Sequence, residues 1–408
     1  MRDARSGSGE CILNLELTSE VLICGTSTRA AAESAARAGF SVTALDAFAD
    51  RDQHPSVRAL SIAHDLNAEP TAAAMARASR NIPAEAVVYL SPFENHPRAV
   101  AALAADRVLL GNTPETLRRV RDPFALAAAL KSRGFAVPRL LNDSNDSNDS
   151  NGPNDSNDLW LCKPFRSGGG TRIRQWTGER TARGLYLQER IDGMPGSIVF
   201  AAASGACVPI GFSRQLVGDA NFGAGGFRYC GSILAPPGDP QFTDGAAVFD
   251  AACDVAQFVS STFGLVGLNG IDFIERDGIL YPVEVNPRWS SSIEIAERAF
   301  AMPFFPAHVA ACTGGALPSF DCAIALERCD AVGKAIVYAR RAVSVGDTSR
   351  WLEDPSVRDV PRSGERFRPG QPICSVFATA AGSAACYRLL VSRAARVYAE
   401  LEPVRRSA

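Results

Sequence analysis

The sequence is short of lysine, and it has neither a long apolar run nor an excess of charge of one sign. Only Lys131, Lys163 and Lys334 are lysines among its 408 residues, and the other basic residues are arginines. We give this scarcity no functional weight, because genome composition alone can produce it. Acidic and basic residues nearly balance, with a net charge of −2 at pH 7. Neither nucleic acid nor an anionic membrane is therefore expected as a partner.

Patterns typical of membrane spans, secretion signals and zinc sites are also missing. The most apolar stretch, 299–317, is interrupted by Pro303, Pro306 and a pair of glycines, so we do not expect it to cross a membrane. The first ten residues are polar and mixed in charge, unlike a secretory signal. The eleven cysteines include no C-x-x-C pair, which favours a reducing compartment. These observations predict a soluble, cytoplasmic protein.

The remaining pattern predicts an α/β (α+β) chain in three parts. Short apolar runs alternate with helical patterns over 1–115, which indicates a Rossmann-like domain with a parallel sheet. A second domain is predicted over 116–325, with a helix at 245–263 and a hairpin at 270–286, and a small β-rich lobe over 326–408. An Asn-Asp-Ser repeat at 142–158 has no apolar residue to bury and predicts a disordered loop.

A glycine-rich segment is the first candidate for chemistry. An apolar strand leads to Lys163, and Ser167 is followed by Gly168, Gly169 and Gly170. Backbone amides without side chains can close around phosphates while a nearby ammonium neutralises their charge. The order differs from a Walker A loop, in which the lysine follows the glycines. A flexible surface hairpin is the alternative interpretation.

Two neighbouring strands at 270–288 carry the second candidate. Alternation places Glu284 and Asn286 on one strand face. A three-residue loop between the strands would place Asp272 opposite Glu284, whereas a two-residue loop would place it opposite Val283. Two carboxylates and an amide oxygen suit Mg²⁺. The alternative is a half-buried strand that presents a polar face.

Together the two features resemble the ATP-grasp superfamily, whose fold is that of biotin carboxylase, carbamoyl phosphate synthetase and D-alanine ligase. The resemblance is nearest to a group of predicted carboligases related to biotin carboxylase. It covers nearly the whole chain, including the segments 112–114, 188–193, 264–274 and 284–288. It implies an ATP-grasp fold with an N-terminal Rossmann-like lobe and a small C-terminal β-rich lobe.

The resemblance also implies a role for each matching residue. ATP would be held by a lysine beneath a mobile glycine loop and by a hinge that contacts adenine mainly through its backbone: Lys163, Ser167, Gly168, Gly169, Gly170, Gln188, Glu189, Arg190 and Ile191. Asp272, Glu284 and Asn286 would bind one or two Mg²⁺ ions, or Mn²⁺ in their place. Arg288 would be catalytic and stabilise the transferring phosphoryl group.

Two positions depart from the family pattern. Arg121-Asp122 stands where relatives carry an Asp-Lys pair, so a phosphate-binding lysine is missing unless Arg121 replaces it. The acidic residue that often holds the ribose after the hinge in relatives has no match near Gly196 and Ser197. These departures concern the groups that contact the phosphates and the ribose, and they leave the implied fold intact.

The implied activity is that of an ATP-dependent ligase. It would join a small-molecule carboxylate and an amine through an acyl phosphate, by analogy in the biosynthesis of a tetrahydromethanopterin-type one-carbon cofactor. A homodimer is expected by the same analogy. A non-catalytic nucleotide-binding sensor or scaffold and an ATP-dependent carboxylase are the alternatives.

Overall fold

The chain opens with a parallel sheet, as the alternation of apolar runs and helical patterns predicts. The structure, a computed structural model, describes residues 20–142 and 159–403. Five parallel strands lie in the order β3-β2-β1-β4-β5. Their bounds are Glu20–Cys24 (β1), Ser41–Asp46 (β2), Val57–Ser61 (β3), Ala86–Tyr89 (β4) and Val108–Leu110 (β5). The helices between them are Arg29–Arg37 (α1), Ala72–Ala78 (α2) and Pro97–Leu103 (α3).

Two short helices lead from this sheet to a small antiparallel one. The helices are Pro114–Val120 (α4) and Pro123–Ser132 (α5), and Asp122 caps the second by accepting the Phe124 and Ala125 N–H groups. The next sheet has the order β6-β9-β7-β8. Its strands are Leu140–Leu141 (β6), Trp160–Pro164 (β7), Arg174–Gln175 (β8) and Leu185–Glu189 (β9). The sheet places Lys163 and the predicted hinge on neighbouring strands.

An eight-stranded antiparallel sheet forms the largest part of the molecule. Its order is β14-β13-β10-β11-β12-β15-β19-β17. The strands are Met194–Ala203 (β10), Ala206–Val217 (β11), Tyr229–Leu234 (β12), Gly267–Arg276 (β13), Ile279–Asn286 (β14), Ala331–Tyr338 (β15), Val357–Arg358 (β17) and Pro372–Ala380 (β19). A further three-stranded sheet joins Val343–Val345 (β16), Arg366–Phe367 (β18) and Leu401–Pro403 (β20).

Helices cover the faces of the large sheet. They are Gly245–Phe263 (α6), Ser291–Phe300 (α7), Phe305–Thr313 (α8), Cys322–Glu327 (α9), Ser349–Glu353 (α10) and Ser383–Glu400 (α11). The predicted helix at 245–263 has these bounds because Asp244 caps its start and Gly264, with a φ of +65°, ends it. Phe249 of α6 packs edge-on against Phe212 of β11, with ring centroids 5.5 Å apart. This burial fixes the helix on the sheet.

The α/β fold class is confirmed, with a parallel sheet first and antiparallel sheets after it. The domain boundaries stay predictions. The predicted boundary at 115/116 falls within α4. Across the predicted boundary at 325/326, β12 pairs with β15, so these two strands share a sheet.

Apart from Asn142, the Asn-Asp-Ser repeat lies outside the described residues. Within residues 20–142 and 159–403, no helix is both long and apolar enough to cross a membrane.

Candidate functional site

The hairpin of β13 and β14 brings the predicted metal ligands together through a bulge. Its loop has two residues, Asp277 and Gly278, whose φ values of +55° and +78° fit a type I′ turn. A two-residue loop alone would place Asp272 opposite Val283. The register shifts between Asp272 and Phe273. Phe273 still faces Pro282, but Asp272 faces Glu284 instead of Val283. The predicted pairing is present, but a β-bulge and not a three-residue loop produces it.

A hydrogen-bond network fixes the Asp272 carboxylate. Asn286 donates its side-chain amide to Oδ2 at 2.9 Å, and Gln215 of β11 donates to Oδ1 at 2.8 Å. Burial, followed by the neighbouring Glu284 carboxylate, raises the pKa of Asp272 to about 6. A divalent cation between the two carboxylates would remove this repulsion. The oxygen donors therefore fit Mg²⁺, which takes few protein ligands and completes its shell with water and phosphate oxygens.

Arg121 is the main partner of Glu284, a contact that no local sequence pattern predicts. Its Nη1 lies 2.5 Å from Glu284 Oε1 and 2.9 Å from the Val285 carbonyl oxygen. Its Nη2 donates to Asn95 Oδ1 and to the Ser167 carbonyl at 2.9 and 3.1 Å. Arg121 thus links the strand that carries Glu284 to the start of the glycine loop. A cation stands near the place of the missing lysine, although its hydrogen bonds are directed to protein groups.

Lys163 lies beside the carboxylates but is closed off from solvent. Its side chain is 6% exposed, and Nζ donates to Gln188 Oε1 at 3.0 Å. Burial lowers the pKa of Lys163, and the nearby Glu284 carboxylate offsets this only in part. An ammonium in this position has little compensation for its lost hydration, so a phosphate would stabilise its charged form.

The glycine loop is attached to the protein at two points. The Ser167 carbonyl accepts hydrogen bonds from Arg121 and Asn95, and the Gly169 carbonyl accepts the Tyr229 N–H at 3.1 Å. Gly170 has a φ of +73°, and a β-carbon there would lie 1.7 Å from the Phe227 carbonyl oxygen. Only glycine fits this position, which holds the loop against the segment before β12.

The predicted adenine hinge, 188–191, is closed in this conformation. The backbone N–H groups of Glu189 and Arg190 donate to the Arg139 and Leu159 carbonyls, each at 2.8 Å. Gln188 borders a separate cavity of about 20 Å³, which is too small for a purine. Adenine binding at the predicted hinge would therefore require the residues around Gln188 to rearrange and enlarge this cavity.

Arg288 is fixed between an acidic residue and the metal-ligand set. Its Nε lies 2.8 Å from Glu94 Oε1, and Glu94 is 1% exposed. Its Nη2 donates to Asn286 Oδ1 at 3.2 Å. A guanidinium beside the predicted metal ligands would stabilise negative charge that develops on a transferring phosphoryl group.

One cavity of about 490 Å³ joins the glycine loop to the predicted metal ligands. We call the part lined by Gly168, Gly169, Gly170, Asp272, Glu284, Asn286 and Arg288 its phosphate-loop end. We call the part lined by Phe48, Asp50, Glu294, Lys334, Asp359 and Phe367 its distal end. The lining does not include six of the predicted ATP-binding residues, although all are described: Lys163, Ser167, Gln188, Glu189, Arg190 and Ile191.

Sequence reasoning missed several residues of this cavity and its surroundings. Glu94, Gln215 and the charged groups of the distal end show no recognisable local motif. The scarcity of lysine did contain a signal, because Lys334 is buried in the lining of the cavity and Lys163 is buried near two of its carboxylates, Glu284 and Asp272. A rare residue type that recurs at buried positions could have identified Lys334 as a candidate.

Comparison with protein families supports the nucleotide-binding interpretation of this geometry. The model of the ATP-grasp domain family matches residues 120–292. This chain contains an ATP-grasp domain. The matched segment holds the Lys163 strand, the glycine loop and the hairpin with Asp272 and Glu284. No curated protein sequence matches the chain.

Solved structures extend the likeness of the ATP-grasp domain to the whole fold. Pyruvate carboxylase from Rhizobium etli aligns with a TM-score of 0.70 at 14% identity, over 95% of this chain and 38% of that one. L-amino acid ligase from Bacillus licheniformis aligns with a TM-score of 0.66 at 15% identity, over 96% of this chain and 100% of that one.

A third solved structure that is similar to this chain contains nucleotide. The biotin carboxylase domain dimer of 2-oxoglutarate carboxylase from Hydrogenobacter thermophilus, in complex with MgADP, ADP and bicarbonate, has a TM-score of 0.67 and 13% identity. The alignment covers 95% of this chain and 91% of that one. At these identities the likeness establishes the fold and not the substrate.

Proposed function

We propose that the protein is an ATP-dependent carboxylate–amine ligase that works through an acyl phosphate. The observation that carries the proposal is the meeting of the glycine loop with Asp272, Glu284, Asn286 and Arg288 in one cavity. A site that bound nucleotide without turnover would have less use for an arginine fixed beside the metal ligands. The L-amino acid ligase among the similar structures supports the same reaction class.

The proposed reaction has two steps. A substrate carboxylate oxygen attacks the γ-phosphorus of ATP, the bond from that phosphorus to the β–γ bridging oxygen breaks, and ADP leaves. An uncharged amine then attacks the acyl carbon, the bond to the phosphate oxygen breaks, and the nitrogen loses a proton. The products are an amide, inorganic phosphate and ADP.

The chain's own residues would contribute position and charge. Asp272, Glu284 and Asn286 would hold Mg²⁺, which when bound neutralises phosphate charge. Lys163 would supply a further positive charge to the phosphates, and the backbone amides of the glycine loop would orient them. Arg288 would stabilise the phosphoryl group during transfer. For Glu284 to bind the metal, Arg121 must give up part of its present contact with that carboxylate.

Three narrower expectations from the sequence also remain proposals. They are a substrate in tetrahydromethanopterin-type one-carbon cofactor biosynthesis, a homodimeric assembly and a cytoplasmic location. Binding of Mn²⁺ in place of Mg²⁺ is likewise a proposal. The oxygen donors of the hairpin suit either ion.

The decisive experiment measures ADP and phosphate formation from MgATP with pooled carboxylates and amines, with mass spectrometry of the products. We expect ADP, phosphate and an amide. We expect Glu284→Gln and Lys163→Met to lower the rate by about 100-fold or more, since each removes charge stabilisation from the transition state. The exposed Glu115→Gln variant is the matched control and should retain the rate.

Other products would change the assignment. AMP with pyrophosphate would contradict the acyl phosphate route. ADP formation that depends on bicarbonate alone would favour a carboxylase, and tight ATP binding without turnover across the pool would favour a sensor. Unchanged turnover in both Glu284→Gln and Lys163→Met would show that these residues are not the site.

A further inference from the structure

The distal end of the cavity is built from segments that lie far apart in the chain. Arg29 begins α1, Glu294 lies in α7, Lys334 lies in β15, and Asp359 follows β17. Asp50 lies in the loop after β2. Loops of the parallel sheet therefore meet the large sheet here, and the cavity continues between them from the phosphate-loop end.

Two cations that contact the carboxylates of this end, Arg29 and Lys334, are already engaged in ion pairs. Arg29 Nη2 lies 2.5 Å from Glu294, and its Nε lies 2.6 Å from Asp359. Lys334 Nζ lies 2.7 Å from Glu294 and 3.4 Å from Asp359. Burial disfavours the charge of Lys334, but Asp359 and Glu294 outweigh it and leave its pKa above the ordinary value. An anionic ligand would have to break these buried ion pairs in order to bind here.

Asp50 differs from the other acidic groups because it has no partner. It is 9% exposed and lines the cavity. Over residues 20–142 and 159–403, no group makes a hydrogen bond or ion pair with its carboxylate. The neighbouring acids Asp52 and Asp359 are both engaged, Asp52 by the Val360 N–H at 2.8 Å and Asp359 by Arg29. A carboxylate buried at this depth without a partner is costly, so it points to a missing ligand.

The charge around Asp50 favours a positive ligand. Three cations, Arg29, Lys334 and Arg298, face five carboxylates in this cluster, those of Asp50, Asp52, Glu294, Asp359 and Glu33, so two carboxylates are in excess. Burial, and then the charges of Asp359, Asp46 and Asp52, raise the pKa of Asp50 well above its ordinary value. A cation beside Asp50 would relieve this repulsion and restore the charged form.

The walls of the distal end suit the apolar part of an organic cation. Phe48 and Phe367 line the cavity together with Ile336 and Pro361. Aromatic faces attract ammonium and guanidinium groups, and apolar walls exclude water that would screen the pair. A hydrated metal ion would gain little from such walls, so an organic cation fits the site better.

We propose that Asp50 binds a cationic nitrogen group of the substrate, an ammonium or guanidinium, at the distal end of the cavity. The inference rests on the proposed ligase function, since the same molecule would present its reacting group at the phosphate-loop end. The cationic group is not the attacking amine, because an ammonium held against a carboxylate has no free electron pair. The substrate class is therefore a small molecule with a positive group in addition to its reacting carboxylate or amine.

The test compares binding of two probes of nearly equal shape, n-butylguanidinium and neutral n-butylurea, to the full-length protein by calorimetric titration. We expect the guanidinium to bind about tenfold more tightly or better, as a charge-assisted pair implies. Asp50→Asn should abolish that preference and leave MgADP binding unchanged. Asp106→Asn, a substitution at an exposed position, should leave both unchanged.

The Asp50→Asn protein is expected to fold, because the substitution removes an unpaired charge and leaves no partner behind. Equal binding of the two probes to the unsubstituted protein would overturn the proposal. So would a preference that survives in Asp50→Asn, or no binding of n-butylguanidinium up to roughly 10 mM while MgADP still binds.

Turnover assays separate this inference from the proposed ligase. Amide formation that is equally fast with cationic substrates and their neutral isosteres, and insensitive to Asp50→Asn, would overturn the cation site and leave the ligase intact. Binding of n-butylguanidinium that depends on Asp50, without any ADP formation across the substrate pool, would overturn the ligase and leave a cation-binding site.

Discussion

Two buried lysines, Lys334 in the lining of the distal end and Lys163 near the carboxylates of the phosphate-loop end, are in opposite electrostatic situations. At the phosphate-loop end, burial lowers the pKa of Lys163 and its neighbours compensate only in part. At the distal end, burial acts in the same direction on Lys334, but Asp359 and Glu294 more than compensate. One end therefore has a lysine whose charge is only partly compensated, and the other has a carboxylate, Asp50, that lacks a cationic partner among the described residues. The comparison indicates an anionic ligand at the first end and a cationic ligand at the second.

The largest expected effect is a difference in folding stability between two variants, Lys334→Met and Lys163→Met. Lys334→Met should lower the free energy of unfolding by about 3 kcal/mol, because Glu294 and Asp359 lose a buried partner. Lys163→Met should cost less than about 1 kcal/mol, because an under-compensated buried charge is replaced by an apolar chain of similar length. Urea unfolding at pH 7.5 measures both. Equal losses in the two variants would contradict the comparison.

The next effect concerns the glycine loop at the phosphate-loop end. Gly170→Ala should weaken MgATP binding by about tenfold to 100-fold, because a side chain at a φ of +73° meets the Phe227 carbonyl and forces the loop to move. Calorimetric titration with MgATP measures the change.

Gly238→Ala is the matched control, since Gly238 lies outside the cavity lining and a β-carbon there meets no atom of the described residues within 4 Å. It should bind MgATP with nearly unchanged affinity. If both variants lose affinity equally, the backbone of Gly170 is not the reason for the loop's shape. If neither does, the loop does not contact the phosphates.

The two ends also differ in how far the sequence could predict them. Lys163 and the glycine loop lie within eight residues, and Asp272, Glu284 and Asn286 lie on one hairpin, so local patterns can indicate these residues as a site. Asp50, Glu294, Lys334 and Asp359 come from four separate segments and meet only through tertiary packing. No periodicity or spacing can indicate such a cluster.

Some details of the predictable end also depended on packing. The two-residue loop alone would have placed Asp272 opposite Val283, and the bulge in β14 that corrects the register has no clear signal in the sequence. The parallel first sheet and the helix α6 were predictable because apolar periodicity and caps define them locally. The pairing of β12 with β15 was not, because it joins residues about 100 positions apart.

A smaller effect is expected from the support of Arg288. Glu94→Gln removes the charge 2.8 Å from Arg288 Nε and should lower the rate of ADP formation about tenfold, because the guanidinium is less firmly placed. The KM for ATP should change less than the rate, since Arg288 acts on the transferring group. Steady-state assays with the substrates identified from the pool measure both constants. Glu115→Gln is the exposed control, and a loss confined to KM would contradict a positioning role.

The smallest expected effect is on the pH dependence of folding stability, through a histidine that lies outside the lining of the cavity. His308 accepts the Leu268 N–H at Nδ1 and places Nε2 3.2 Å from the Leu110 carbonyl, so it connects the two large sheets. Burial lowers its pKa to about 4. Between pH 6.5 and 4 the unfolded state binds more protons at this site, so stability falls as the pH falls, by about 1 kcal/mol at pH 5.5. Above pH 6.5 the site contributes no pH dependence.

Urea unfolding at pH 7.5 and pH 5.5 measures this effect. His308→Gln should lose less stability between these two pH values than the unsubstituted protein, whereas the exposed His64→Gln should lose as much as the unsubstituted protein.

Asp50 has a raised pKa and acts with the opposite sign, because the folded state takes up a proton at Asp50 more readily than the unfolded state as the pH falls. Asp50→Asn should then be more sensitive to acid than the unsubstituted protein. If His308→Gln and Asp50→Asn shift the pH dependence in the same direction, the electrostatic contrast between the scaffold and the distal end is wrong.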